Sequence, residues 1–254
     1  MKLCSLKEID KIYRVSSWYP YLGFTLFGFL LRSNPNLELL KYIILDIFLL
    51  SYAFSLNDYY DLCIKKKYFF PPLILSLIFL LFLNPLQISL SYLFLLIVTL
   101  YSANPIRLKS KPFLSSFCNG FGFLILFFIG YQRWDLGLLF GMLLFFLEMV
   151  AQFIHETVHL KEDKRHKIIT TAVFFGRYTI KILCYTFLLI TFMICLYLFH
   201  IGMVNVLFLF ITAFFIFYFI ADIYFHKINK KLRKRYRVFG IITGMFYIFL
   251  LFYS

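Results

Sequence analysis

The chain has 254 residues, 62% of them hydrophobic and 22% aromatic, with a mean hydropathy of +0.84 and a formal net charge of +14. A composition this apolar excludes an ordinary soluble globular domain, and apolar runs of spanning length recur along its whole extent. The runs are too long for barrel strands, and a helix of ~20 residues satisfies its own backbone in hydrocarbon. A single all-α domain, residues 1–254, is therefore expected: a polytopic membrane helix bundle of about nine transmembrane helices.

In chain order, the polar stretch 1–14 carries Lys2, Lys7, Glu8, Asp10 and Lys11 and has no small-residue cleavage site behind it, which argues against a removed signal peptide. Nine spans follow, over 16–32, 39–57, 68–84, 87–104, 113–130, 136–154, 179–199, 203–225 and 238–253. With the N-terminus inside, the inner segments collect almost every Lys and Arg, leaving only Arg32, Lys41 and Arg133 outside. The positive-inside rule thus fixes a cytoplasmic N-terminus and supports the odd number of spans. The charge concentrates on one membrane face, where it meets anionic lipid headgroups or an anionic substrate. No nucleic-acid recognition motif accompanies it, and the basic run 226–237 reads as a topogenic, lipid-binding loop. Cys4, Cys63, Cys118, Cys184 and Cys195 show no ligand-like spacing and imply no disulfide framework.

Two polar clusters end otherwise apolar spans on the cytoplasmic side. The first is Asn57-Asp58-Tyr59-Tyr60-Asp61, in which Asn57 and Asp61, four apart, share a helix face and converge an amide and a carboxylate. Such oxygen donors suit Mg²⁺, which takes one or two protein carboxylates and completes its shell with water and phosphate oxygens. The alternative is a solvated helix terminus, where Asn and Asp are ordinary residues. After the fourth span, Tyr101-Ser102-Ala103-Asn104-Pro105-Ile106-Arg107-Leu108-Lys109 ends its helix at Pro105 and brings Arg107 and Lys109 to the level of Asp61. The second cluster, His155-Glu156-Thr157-Val158-His159, continues to Asp163. Asp46, Asn57 and Asp61 are matched in spacing by Glu148, His159 and Asp163, 102 residues on, which hints at a duplicated four-helix unit.

These stretches resemble the UbiA-type family of membrane prenyltransferases. The resemblance is carried by NDYYD at 57–61, by YSANPIRLK at 101–109 with Asn119 and Gly120 in the next span, and by Asp163 with Thr171 eight residues later. It implies nine helices around a central cavity, Mg²⁺ bridging a prenyl diphosphate to two aspartate-rich motifs, and transfer of the isoprenoid chain to a lipophilic or aromatic acceptor. Carried onto this sequence, the catalytic and metal-binding set is Asn57, Asp61, Glu156, His159 and Asp163. Tyr101, Arg107, Lys109, Asn119, Asp58 and Lys65 are the substrate-binding candidates. Two positions depart from the family pattern: Lys65 and His159 stand where aspartates are usual. Lys65 is expected to meet the diphosphate directly, with His159 retained as a ligand and Glu156 adding a carboxylate. The alternatives are a catalytically altered, lipid-binding relative and, from another class, a zinc metalloprotease built on the literal HExxH of residues 155–159.

Overall fold

A computed structural model of the chain describes residues 10, 12–62, 66–133, 135–166 and 168–252, and the described residues are helical with no strand. Pro20 breaks the first span: a short turn at Val15–Trp18 and a 3-10 turn at Tyr19–Tyr21 precede α1, Leu22–Leu30. There follow α2 (Leu37–Leu62), α3 (Phe70–Phe79, extended by a 3-10 turn at Leu80–Phe82), α4 (Pro85–Ser102), α5 (Leu114–Tyr131), α6 (Gly137–Arg165), α7 (Thr171–His200), α8 (Val206–Phe225) and α9 (Lys230–Phe252). Nine principal helices among the described residues match the expected number. Six are long and apolar enough to cross a membrane, namely α2 and α4 to α8, and α3 is a shorter apolar helix. The protein is an integral, multi-pass membrane protein.

Helix starts follow local chemistry. At α4, Asn84 accepts from the Gln87 amide while Gln87 answers the Asn84 amide, a capping box with Pro85 at the first helical position. Asn205 accepts from the Phe208 amide at the start of α8, and Asn229 accepts from the amides of Lys231 and Leu232 at the start of α9. Hydropathy misplaces several ends. α6 runs to Arg165, where the apolar run stops near 154, and α9 begins at Lys230, ahead of the expected 238, because helical hydrogen bonding continues past the hydrocarbon into solvated turns. NDYYD and the whole of 155–163 are consequently helical, as their four-residue spacing requires.

The described residues group into two compact units, one within 10–107 and 125–133 and the other within 108–124 and 135–252. In the first, α1 and the end of α5 approach to backbone contact. A Cβ at Gly28 would lie 2.2 Å from the Phe127 carbonyl oxygen, and one at Gly130 would lie 2.1 Å from that of Thr25. The Thr25 hydroxyl donates to the Leu126 carbonyl at 2.7 Å, sealing this crossing with the polar bond that small residues permit in a membrane. In the second unit, Phe153, Ile180, Leu188, Ile216, Phe219 and Leu232 belong to one buried cluster joining α6, α7, α8 and α9. Gly120 of α5 meets the Phe145 ring of α6 so closely that a Cβ would sit 3.0 Å from it.

Candidate functional site

In the first unit the polar end of α2 is ordered by two arginines. Asp58 is buried, and its Oδ1 accepts from Arg14 Nη1 at 3.0 Å. Asp61, one turn nearer the solvent, accepts from Arg107 Nη2 at 3.1 Å, with both side chains about one-third exposed. Arg107 adopts φ 39° at the end of the YSANPIRLK turn, and this backbone bend carries its guanidinium to Asp61. The expected proximity of Arg107 to Asp61 is thus a direct ion pair. Asn57 is half-buried on the same helix face, and Tyr101 is half-buried at the end of α4. Lys109, which falls in the second unit, is buried. Lys65 lies outside the described residues.

In the second unit the polar end of α6 divides into two arrangements. Glu156 is 2% exposed; its Oε1 accepts from Ser115 Oγ (2.7 Å), Ser116 Oγ (2.9 Å) and Gln152 Nε2 (3.3 Å), and its Oε2 accepts from the Ala172 amide (3.1 Å). Thr171 Oγ1 accepts from the Phe113 amide at 3.0 Å and lies 2.9 Å from Ser116 Oγ. This carboxylate ties the start of α5 and the positive N-terminus of α7 to α6. Glu156, read in the sequence as a metal ligand, accepts four hydrogen bonds from groups of the protein. Asn119 is likewise turned to its own helix, its amide donating to the Ser115 carbonyl.

The other arrangement is exposed. His159 Nδ1 lies 2.6 Å from Glu162 Oε2, and its Nε2 lies 3.1 Å from Arg233 Nη1. Both ring nitrogens of His159, read in the sequence as a metal ligand, thus lie within hydrogen-bond distance of a side chain of the protein. Asp163, on the same face one turn later, is half-buried and accepts from Thr170 Oγ1 at 3.3 Å. A protease site is not built: His155 and His159 have rings 4.7 Å apart, but the intervening Glu156 is sealed among hydroxyls, where an HExxH site needs it facing a water. Among the described residues no group of three or more His, Cys, Asp or Glu is placed to hold a metal ion.

Linear reasoning missed Arg14, Ser115, Ser116 and Arg233. No spacing rule relates Ser115 to Glu156, or Arg233 to His159. Asp46 is fully buried, and neither of its carboxylate oxygens has a hydrogen-bond partner among the described residues.

Comparison with known proteins gives the family. No curated protein sequence matches. Among solved structures, a UbiA homologue from Archaeoglobus fulgidus is similar with a TM-score of 0.79 at 21% identity, over 97% of this chain and 99% of that one. The same homologue bound to GPP and Mg²⁺ gives 0.75 at 19% identity, over 96% and 99%. A structure concerned with digeranylgeranylglyceryl phosphate synthase in membranes gives 0.78 at 17% identity, over 98% and 99%. These likenesses establish a shared fold. The model of the UbiA prenyltransferase family matches residues 72–251, most of the chain, beginning just beyond NDYYD. The chain belongs to the UbiA prenyltransferase family.

Proposed function

We propose that the protein transfers an isoprenoid chain from a prenyl diphosphate to a lipophilic or aromatic acceptor within the membrane, in a Mg²⁺-dependent reaction that releases diphosphate at the cytoplasmic face. The observation that carries this reading is the Arg107–Asp61 pair, a carboxylate and a guanidinium held together at the solvated end of an apolar helix in a chain of this family. The A. fulgidus structures with GPP and with DMAPP, each with Mg²⁺, support the same substrate class.

Each polar helix end by itself offers hard oxygens of the kind Mg²⁺ takes, Asn57 and Asp61 on α2 and Asp163 on α6, while Glu156 and His159 already bond to other groups of the protein. When bound, Mg²⁺ would offset the charge that develops on the leaving diphosphate. The chain's own part is positioning and charge. Arg107 exchanges its Asp61 carboxylate for diphosphate oxygens, and its planar fork favours that geometry. Asp58, locked by Arg14, holds the last turns of α2 in place. Apolar side chains of the helices receive the isoprenoid tail, which keeps water from the allylic carbon as the bond to oxygen breaks.

Protein purified into lipid nanodiscs is incubated with radiolabelled geranylgeranyl diphosphate, a pooled lipophilic acceptor extract, and Mg²⁺ or EDTA. Mg²⁺-dependent transfer of label is expected, with Asp61→Asn and Asp163→Asn each reducing it by about 100-fold or more. Unchanged turnover in those variants would refute the site. Donor binding without turnover in any acceptor pool would favour the lipid-binding alternative, for which the engagement of Glu156 and His159 speaks.

A further inference from the structure

Residues 226–237 contain seven Lys and Arg and no acid, and most of these bases fall on the first turns of α9. Helical spacing sorts them. Lys231 and Arg235, four apart, share a face that continues through Phe239 and Ile242 to Phe246. On α8, four-residue steps lead from Asp222 through Tyr218 and Phe214 to Phe210. The two faces meet turn by turn: Arg235 Nη2 donates to Asp222 Oδ1 at 2.7 Å, and next to this pair the rings of Phe239 and Tyr218 stack with centroids 4.9 Å apart. Beyond the stacked rings the helices leave a groove, lined by Phe210, Phe214, Ile242, Thr243 and Phe246 among others. Thr243 is buried while those aromatic and aliphatic residues are exposed, so the groove has a short side chain at its floor and opens sideways.

Charge and length together name an occupant. The groove is apolar and lies between two hydrophobic stretches, so hydrocarbon fills it at least cost. At its head stands a surplus of positive charge: Asp222 brings one carboxylate, shared between Arg235 and His226, and Lys231 is exposed one turn away. The Asp222 bond holds the guanidinium in place, yet the Arg235 side chain stays 39% exposed and can face a headgroup. From Arg235 to Phe246 the helix rises ~16 Å, about the depth of one leaflet. An anionic head at the interface with a chain of leaflet length describes a phospholipid, and a groove open along its side admits one from the bilayer.

We propose that the α8–α9 face is a binding site for one anionic phospholipid of the leaflet at the basic end of α9, with Lys231 and Arg235 taking the phosphate and one acyl chain lying along the groove. Neither polar cluster contributes a residue to it, and the inference stands independently of the prenyl-diphosphate reading.

The test uses the full chain carrying Phe214→Trp, reconstituted in vesicles of phosphatidylglycerol and phosphatidylcholine in which one lipid or the other has brominated acyl chains. Quenching of the two native tryptophans, measured in the parent, is subtracted. Brominated phosphatidylglycerol is expected to quench the reporter as though enriched about 5-fold over phosphatidylcholine. A Leu189→Trp reporter, on an exposed part of α7, should show no enrichment. Lys231→Gln, which leaves the Asp222 pair intact, should lower the enrichment by about 2-fold or more, and adding Arg235→Gln should abolish it. Lys161→Gln with Lys164→Gln, an equal change of charge on α6, should leave it unchanged. Equal quenching by the two lipids at Phe214→Trp would overturn the site and leave ordinary boundary lipid. Equal loss in the α6 pair would overturn it in favour of diffuse attraction to a basic surface, and displacement of the brominated lipid by geranylgeranyl diphosphate would give the groove to an isoprenoid instead.

Discussion

At the scale of single residues, two acids that look alike in the sequence have opposite duties. Asp61 and its arginine are each about one-third exposed, so the pair contributes less than about 1 kcal/mol to stability, and Asp61→Asn should leave Tm within a few degrees while removing turnover. Arg107→Ala is expected to raise KM for the prenyl diphosphate by about 10-fold, a loss read directly from initial rates in Mg²⁺. Glu156 is the reverse case. Glu156→Ala removes the carboxylate acceptor of two serine hydroxyls and of the Ala172 amide in a buried pocket, and a loss of about 3–5 kcal/mol is expected in thermal or denaturant unfolding. Glu156→Gln, which keeps one acceptor oxygen, should cost less. Retention of parental Tm in Glu156→Ala would contradict the structural assignment. The distinction was illegible in the sequence because burial depends on Ser115 and Ser116, some forty residues upstream. The phase of Asn57 and Asp61, by contrast, was legible: it follows from helix geometry alone.

At the scale of elements, the α1 to α5 crossing is set by glycine. Gly28→Ala or Gly130→Ala drives a methyl into a facing carbonyl, and since backbone cannot yield as a side-chain tip can, the helices must separate and lose the Thr25 to Leu126 bond. A loss of about 2 kcal/mol or more in unfolding from detergent is expected for either, against no loss for Gly23→Ala, where the added Cβ meets nothing within 4 Å. The existence of each principal helix was readable from its apolar run. Its ends were not, because hydropathy changes at the membrane interface whereas the i to i−4 bonds do not stop there. The last turns of α2 and α6, which carry the two polar clusters, are the segments that hydropathy leaves out.

For the whole molecule, the basic residues predict the side of the membrane on which chemistry occurs. In a background lacking Cys4 and Cys63, Lys231→Cys should react with an impermeant maleimide from the cytoplasmic face and Met203→Cys from the opposite face. Reversed labelling would invert the topology and place both acidic motifs outside. The corresponding acids 102 residues apart fall in α2 of one compact unit and α6 of the other, consistent with the duplication read from spacing. Within that correspondence the two helix ends have diverged, α2 meeting its arginines through carboxylates and α6 meeting Arg233 through an imidazole.

Gly176 interrupts α7 with φ 79° and ψ 167°, a backbone shape that residues with a Cβ do not hold without strain. The segment 171–175, whose Ala172 amide caps Glu156, is therefore a separate rigid piece from the long apolar stretch 177–200. A continuous rod would behave as a lever: any tilt imposed by a thicker or thinner bilayer would reach the buried carboxylate. The glycine breaks that rod, so the peptide group bonded to Glu156 and the membrane-crossing stretch are not parts of one uninterrupted helix.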